Sequence, residues 1–397
     1  MTVSIRQPPG WGRRWLVART SFTAFQAFAK EKQWGRSGLP GDNEDVKTLR
    51  LRVDAERLDT AEAQETLERG AQILRAGGLV ALPTETVYGL GAHALDAAAV
   101  GRIFEAKQRP AWDPVIVHIA DLAMLEGLVC WEGVADGVEA RARRLMAAFW
   151  PGPLTLLLRR TEEVPDAVTA GRALVGVRMP AHPVALELIR RAGVPVAAPS
   201  ANLFGHTSPT TAEHVLDDLN GRIDAVVDAG ATGLGVESTV LDCCQSPMVI
   251  YRPGAVTAEQ IRAVGGPVGL FESGELEETP REAMPSPGVG IRHYAPRARL
   301  VLVDAPLGEL EARLEELVLL LADERVGVML PAEIAAPAWT TVFAWGRWDA
   351  PEELARKLYA GLRMLDERGC TVILCPLPPA EGIGAAIRDR LMKAANS

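Results

Sequence analysis

Short apolar runs alternate with longer amphipathic segments from about residue 60 to the C-terminus, and that alternation restricts the chain to an α/β fold with a mixed sheet. Residues 79–82, 115–119, 154–158, 173–177, 194–198, 225–228, 239–242 and 248–251 read as strands. Between them, 61–76, 97–106, 135–149, 183–192, 212–219 and 258–264 carry helical periodicity, with Ala63, Leu67, Ala71 and Leu74 on one stripe of the first. The pattern breaks at Phe271, where 272–280 is acidic and lacks an apolar face, as a linker does. A second alternation then predicts strands at 300–303, 326–330, 341–343 and 372–374 and helices at 307–322, 351–365 and 383–395. That is a small, Rossmann-like α/β domain with a parallel, doubly wound sheet. The expected division is an extension at 1–50, a larger domain at 51–270, a linker at 271–298 and a second domain at 299–397.

The first fifty residues show no strong periodicity and read as a flexible extension or an over-long start. Arg13-Arg14 lies between two tryptophans but lacks the apolar stretch that an export signal needs. A net charge of −9 argues against a general nucleic-acid or anionic-membrane binder. No apolar run is long enough to span a bilayer. The five cysteines (Cys130, Cys243, Cys244, Cys370, Cys375) show no zinc-like spacing and suit free thiols in a reducing cytoplasm.

Polar groups gather where strands end. The run 79–82 leads into Pro83-Thr84-Glu85-Thr86, and the helix after it delivers Lys107 and Arg109. Hydroxyls beside two cations suit a small polar substrate together with a phosphate, because phosphate oxygens favour charge-assisted donors. Ser200 and Asn202, Glu237 and Ser238, and Arg252 each follow or precede an apolar run, as do His118 and Arg178. Singly, such residues are ordinary turn, cap or edge chemistry. There is no G-x-x-x-x-G-K, no G-x-G-x-x-G after a strand, no G-x-S-x-G and no metalloprotease-like histidine pair, so a bound nucleotide must be held by dispersed loops.

Taken in order, PTETVYGLGAHA, KQRP, VIVHI, FWPGPLTLLL, VGVRMP, APSAN, GHTSPT, VESTV and YRPGAV resemble the Sua5/YrdC family of threonylcarbamoyl-AMP synthases. SPGVGIRHYAP resembles the interdomain linker of the longer Sua5 form, and EGIGAAIRDRLMKAAN the end of its second domain. The resemblance implies a YrdC-like catalytic domain and a reaction of L-threonine, bicarbonate or CO2 and ATP to threonylcarbamoyl-AMP and pyrophosphate. It also implies Mg2+ accompanying ATP, no dedicated protein metal site, and a product used by a tRNA threonylcarbamoyl transferase machinery at adenosine 37. By the same resemblance Thr84, His118, Arg178 and Ser238 bind threonine. Lys107, Arg109, Ser200, Asn202, Ser208 and Arg252 serve the nucleotide and its phosphates, Lys107 and Arg109 being catalytic. His293 and Tyr294 fold over the nucleotide, with 284–296 acting as a lid. Two departures stand out: Asp113 occupies a position where lysine is frequent, and Ala198 one where serine or threonine is frequent. The first is expected to remove a cationic contribution and the second a hydroxyl contact. The synthase reading leaves room for a weak tRNA contact, and an RNA-binding module without adenylate synthesis is the alternative; the acidity and the lack of RNA-type aromatic motifs disfavour the alternative.

Overall fold

The computed structural model describes residues 47–271 and 294–396. In chain order its first part runs β1 (Leu49–Arg52), α1 (Ala61–Arg75), β2 (Val80–Pro83), β3 (Tyr88–His93), α2 (Ala97–Lys107), β4 (Ile116–His118), α3 (Ala123–Glu126) and α4 (Val138–Phe149). It continues through β5 (Leu154–Arg159), α5 (Asp166–Thr169), β6 (Leu174–Arg178), α6 (Pro183–Ala192), β7 (Val196–Ala197) and α7 (Ala212–Leu219). β8 (Ala225–Asp228), β9 (Thr239–Asp242), β10 (Met248–Arg252), α8 (Ala258–Gly265) and β11 (Val268–Leu270) complete it. Helix starts follow local chemistry. Asp96 caps α2 by accepting from Ala98 and Ala99 N–H (2.9 and 3.2 Å), Thr257 forms a capping box with Gln260, and Pro183 opens α6.

The strands form one mixed sheet in the order β1-β8-β2-β3-β7-β4-β6-β5-β9-β10-β11. Both faces of its central strands are covered, so a strand such as β2 is buried throughout rather than alternating. Val80 and Leu82 pack with Leu67 of α1 and Leu188 of α6, while Leu79 and Ala81 point into the opposite layer with Ile103 of α2. Three strands have no counterpart in the expected elements. In β1 only Leu51 is buried among arginines, and it pairs with β8. The larger domain therefore includes Leu49 and Arg50, whereas 1–46 lies outside the described residues. β3 continues the chain after the Thr84–Val87 turn and pairs antiparallel with β2. β11 is a mostly exposed edge.

The second part comprises β12 (Arg299–Val303), α9 (Leu307–Leu320), β13 (Val326–Pro331), β14 (Thr341–Gly346), α10 (Pro351–Glu367), β15 (Val372–Pro376) and α11 (Gly384–Ala395). Its four strands are all parallel, in the order β12-β15-β13-β14. Period-two alternation assigns the faces: Ile373 and Cys375 pack with α10 and α11, Val372 and Leu374 with α9. The apolar layer of α10 and α11 also takes in Val87 and Val236 of the first part, so the two domains share a core. All five cysteines are free thiols. No helix among the described residues is long and apolar enough to cross a membrane.

Candidate active site

Strand ends and loops of the large sheet line a cleft that opens to solvent. Arg109, Arg178 and Arg252 line it and are nearly withdrawn from solvent, with Thr84, Thr86, His118, Ser200, Ser238, Glu237 and Tyr294 beside them. Three buried guanidinium groups line it, Arg178 and Arg109 being paired with Glu85 and Asp113, and such planar donor forks suit anionic ligands.

Thr84 caps its own turn. Its hydroxyl donates to Val87 O (2.7 Å), accepts from Thr86 and Val87 N–H, and lies 2.7 Å from Thr86 Oγ1. Across the cleft, His118 and Arg178 are paired residues of the parallel strands β4 and β6. Arg178 donates to Thr86 Oγ1 (3.0 Å) and Gly152 O (3.2 Å), and its Nη2 lies 2.7 Å from Glu85. A ligand carboxylate would therefore compete with Glu85 for this guanidinium. Burial, and then Arg178, pull the His118 pKa down to about 3, so the imidazole is neutral, and its Nδ1 has no hydrogen-bond partner. Ser238 Oγ lies 2.8 Å from Thr155 Oγ1 and accepts from Arg252 Nη2 (3.1 Å), while Arg252 Nε donates to Ser238 O (3.1 Å).

Asp113 is buried against Arg109, with Nη2 and Oδ2 2.9 Å apart. Arg109 also donates to Asp113 O and Pro114 O. The position expected to lack a cation thus holds the neighbouring cation in place. Ala198 lines the cleft and lets β3 approach, since a Cβ on Gly89 would meet the Ala198 methyl at 3.1 Å.

Lys107, Asn202 and Ser208 do not line the cleft. The Lys107 amine donates to the carbonyls of Ser200 and Asn202, and burial followed by Arg109 pushes its pKa well below the usual lysine value. Asn202 Nδ2 donates to Leu203 O (2.7 Å) and His206 O (2.8 Å), and Ser208 donates to Glu237. Behind the lining residues Lys107 and Asn202 hold the loop that presents Ser200, and Ser208 holds Glu237. Tyr294 lines the cleft; His293 and most of the expected lid, 284–293, lie outside the described residues. No sequence motif points to Tyr359, Arg363 or Arg390, and Glu237 reads from sequence only as loop chemistry before a strand. Glu237 bonds to Tyr359 and Arg390, and Arg363 donates to Asp218 Oδ2 (2.9 Å) and to Thr207 O.

Stability should report on the buried histidines. His214 is also held low, at about 4, chiefly by burial and then by Arg363. Below about pH 6.5 the unfolded chain binds these protons and the folded chain does not. Stability present above pH 6.5 is therefore lost as pH falls toward 4, by up to about 1.4 kcal/mol per pH unit for each histidine. Urea unfolding at pH 7 and pH 5 should show the loss, and His118→Gln should reduce its slope. An unaltered slope would mean that His118 titrates normally when folded.

The fold and cleft define a two-domain α/β protein built to take a small ligand bearing anionic groups. A family model described as "Telomere recombination", covering Sua5 and YrdC proteins, matches residues 72–254. Another, described as "Threonylcarbamoyl-AMP synthase, C-terminal domain", matches residues 256–396. The threonylcarbamoyl-AMP synthase of Pyrococcus abyssi is 44% identical over 82% of this chain and 92% of its own length. That of Bacillus subtilis is 44% identical over 88% and 98%. A crystal structure of P. abyssi Sua5 complexed with L-threonine superposes with a TM-score of 0.78 at 40% identity, covering 88% of this chain and 97% of that one. The chain belongs to the Sua5/YrdC family of threonylcarbamoyl-AMP synthases.

Proposed function

We propose that this chain is a nucleotidyltransferase that makes threonylcarbamoyl-AMP from L-threonine, bicarbonate or CO2 and ATP. The observation that carries the reading is the single cleft in which Arg178, His118, Thr84 and Ser238 face Arg109 and Arg252. The threonine-bound P. abyssi relative supports the amino-acid half. Arg178 pairs with the threonine carboxylate, displacing Glu85, and the Thr84 and Ser238 hydroxyls bind its polar groups. Neutral His118 offers a ring nitrogen to the same ligand. The threonine amine and CO2 form a carbamate with loss of a proton. A carbamate oxygen then attacks the α-phosphorus, forming the new P–O bond as the bond to the β-phosphate breaks, and pyrophosphate leaves. Arg109 and Arg252 stabilise the charge that develops on the phosphate oxygens. Holding both reactants in one cleft supplies the rest, and no covalent enzyme intermediate is required.

Among the described residues no group of three or more histidine, cysteine or acidic side chains could hold a metal. Mg2+ would enter as part of the MgATP substrate, carried by the phosphates. The product would feed tRNA modification at adenosine 37 by a separate transferase, and the free thiols are consistent with a reducing, cytoplasmic setting. Pyrophosphate release from MgATP and bicarbonate is expected to require L-threonine. Folded protein that releases none on threonine addition would refute the activity, and salt-dependent tRNA binding in its place would favour the RNA-binding alternative.

A further inference from the structure

Glu237 sits in the cleft wall immediately before Ser238, yet most of its partners belong to the other domain. Its Oε1 accepts from Ser208 Oγ (2.5 Å) and the Tyr359 hydroxyl (3.1 Å). Its Oε2 accepts from the same hydroxyl (3.0 Å) and from Arg390 Nε (2.7 Å). Burial alone would raise this carboxyl, but Arg390 and then Arg252 outweigh it and hold it below its ordinary value, so the group is an anion. With both oxygens engaged by donors it is poorly placed to ligate a metal and well placed to bridge the domains.

Tyr359 of α10 and Arg390 of α11 also form the seat of Tyr294. The two tyrosine rings stack with centroids 5.9 Å apart at 25°, and the Arg390 guanidinium lies 5.3 Å over the Tyr294 ring. Tyr294 has φ 68°, a left-handed conformation that a bulky residue keeps only where its surroundings impose it. The domain boundary has no slack near this cluster. At Gly235 (φ 77°) a Cβ would fall 2.4 Å from Ala355 O and 2.5 Å from Arg356 Cα of α10, and Arg356 Nε donates to Gly233 O (3.0 Å). The threonine-facing groups are anchored elsewhere: Arg178 on Thr86, Glu85 and Gly152, and Ser238 on Thr155 and Arg252, all within the larger domain.

We propose that the C-terminal domain is a working part of the nucleotide side of the cleft, with Tyr359 and Arg390 as positioning residues that hold Tyr294 and Glu237 in its wall. The inference rests on the synthase reading and adds to it a function for the second domain. Arg390→Met is expected to raise the KM for ATP by about tenfold or more, with a smaller change in kcat. The Kd of L-threonine, measured calorimetrically without ATP, should stay within about twofold of wild type. Arg390→Lys, which keeps the charge but not the guanidinium plane, should recover part of the loss. Tyr359→Phe keeps the stacked ring and removes only the hydroxyl, so it remains informative if Arg390→Met does not fold. Its ATP KM should rise several-fold with threonine binding intact. An unchanged ATP KM in folded Tyr359→Phe or Arg390→Met would overturn the proposal, as would parallel loss of ATP and threonine binding. Wild-type protein lacking threonine-dependent pyrophosphate release would instead overturn the synthase reading itself.

Discussion

Arg178→Ala is expected to raise the threonine concentration for half-maximal pyrophosphate release by about a hundredfold to a thousandfold, because truncating one member of a buried charge pair costs roughly 3–4 kcal/mol. Three contacts fix this guanidinium before any ligand arrives: Thr86 Oγ1, Gly152 O and the Glu85 carboxylate. A preset donor fork loses little entropy when it exchanges one carboxylate for another. Arg178→Lys keeps the charge without the fork and should fall between wild type and alanine. Folding should suffer as well, since both Glu85 carboxylate oxygens are buried and lose their charged partner, so binding is compared in folded protein. Titrating threonine against pyrophosphate release checks the prediction, and a half-saturating concentration unchanged by Arg178→Ala would remove this residue from the amino-acid subsite.

The element pattern was largely legible because burial on both faces leaves near-continuous apolar runs. The helices at 183–192 and 212–219 and the strands at 225–228 and 239–242 have the bounds expected from sequence. What escaped has identifiable causes. Gly89 and Gly91 make Tyr88–His93 resemble turn chemistry, yet the small residue at 89 admits the Ala198 methyl to a paired strand. Leu49–Arg52 alternates leucine with arginine at a sheet edge and carries little apolar signal. In the site, hydroxyls and cations at strand ends announced themselves through local motifs. The Glu237–Tyr359 and Glu237–Arg390 bonds join residues 122 and 153 positions apart, and no local pattern encodes such a partnership. The structure also separates residues that sequence grouped together. Arg109 reaches the cleft, whereas Lys107, two positions earlier, turns back into the protein at the end of α2, where Gln108 adopts φ 54°.

That placement makes Lys107 a severe test of how the loop serves the reaction. Its amine donates to Ser200 O and Asn202 O, and its own carbonyl accepts from Phe204 N–H (2.9 Å), so one residue ties down the segment that carries Ser200. Lys107→Met keeps the volume of the stem but strands two buried carbonyls, at a cost of about 1–3 kcal/mol each in stability. Misplacing a substrate-positioning loop by about 1 Å costs on the order of a hundredfold in rate. Lys107→Met is therefore expected to lower kcat/KM for ATP by about a hundredfold or more, while threonine affinity measured without ATP stays within about twofold. Threonine binding is spared because its groups are anchored on β4, β6 and the Thr84 turn rather than on this loop. Comparing the two affinities in one folded preparation decides the matter: ATP turnover close to wild type would show that the loop holds its shape without the amine, and loss of both affinities together would show that Lys107 maintains the whole cleft.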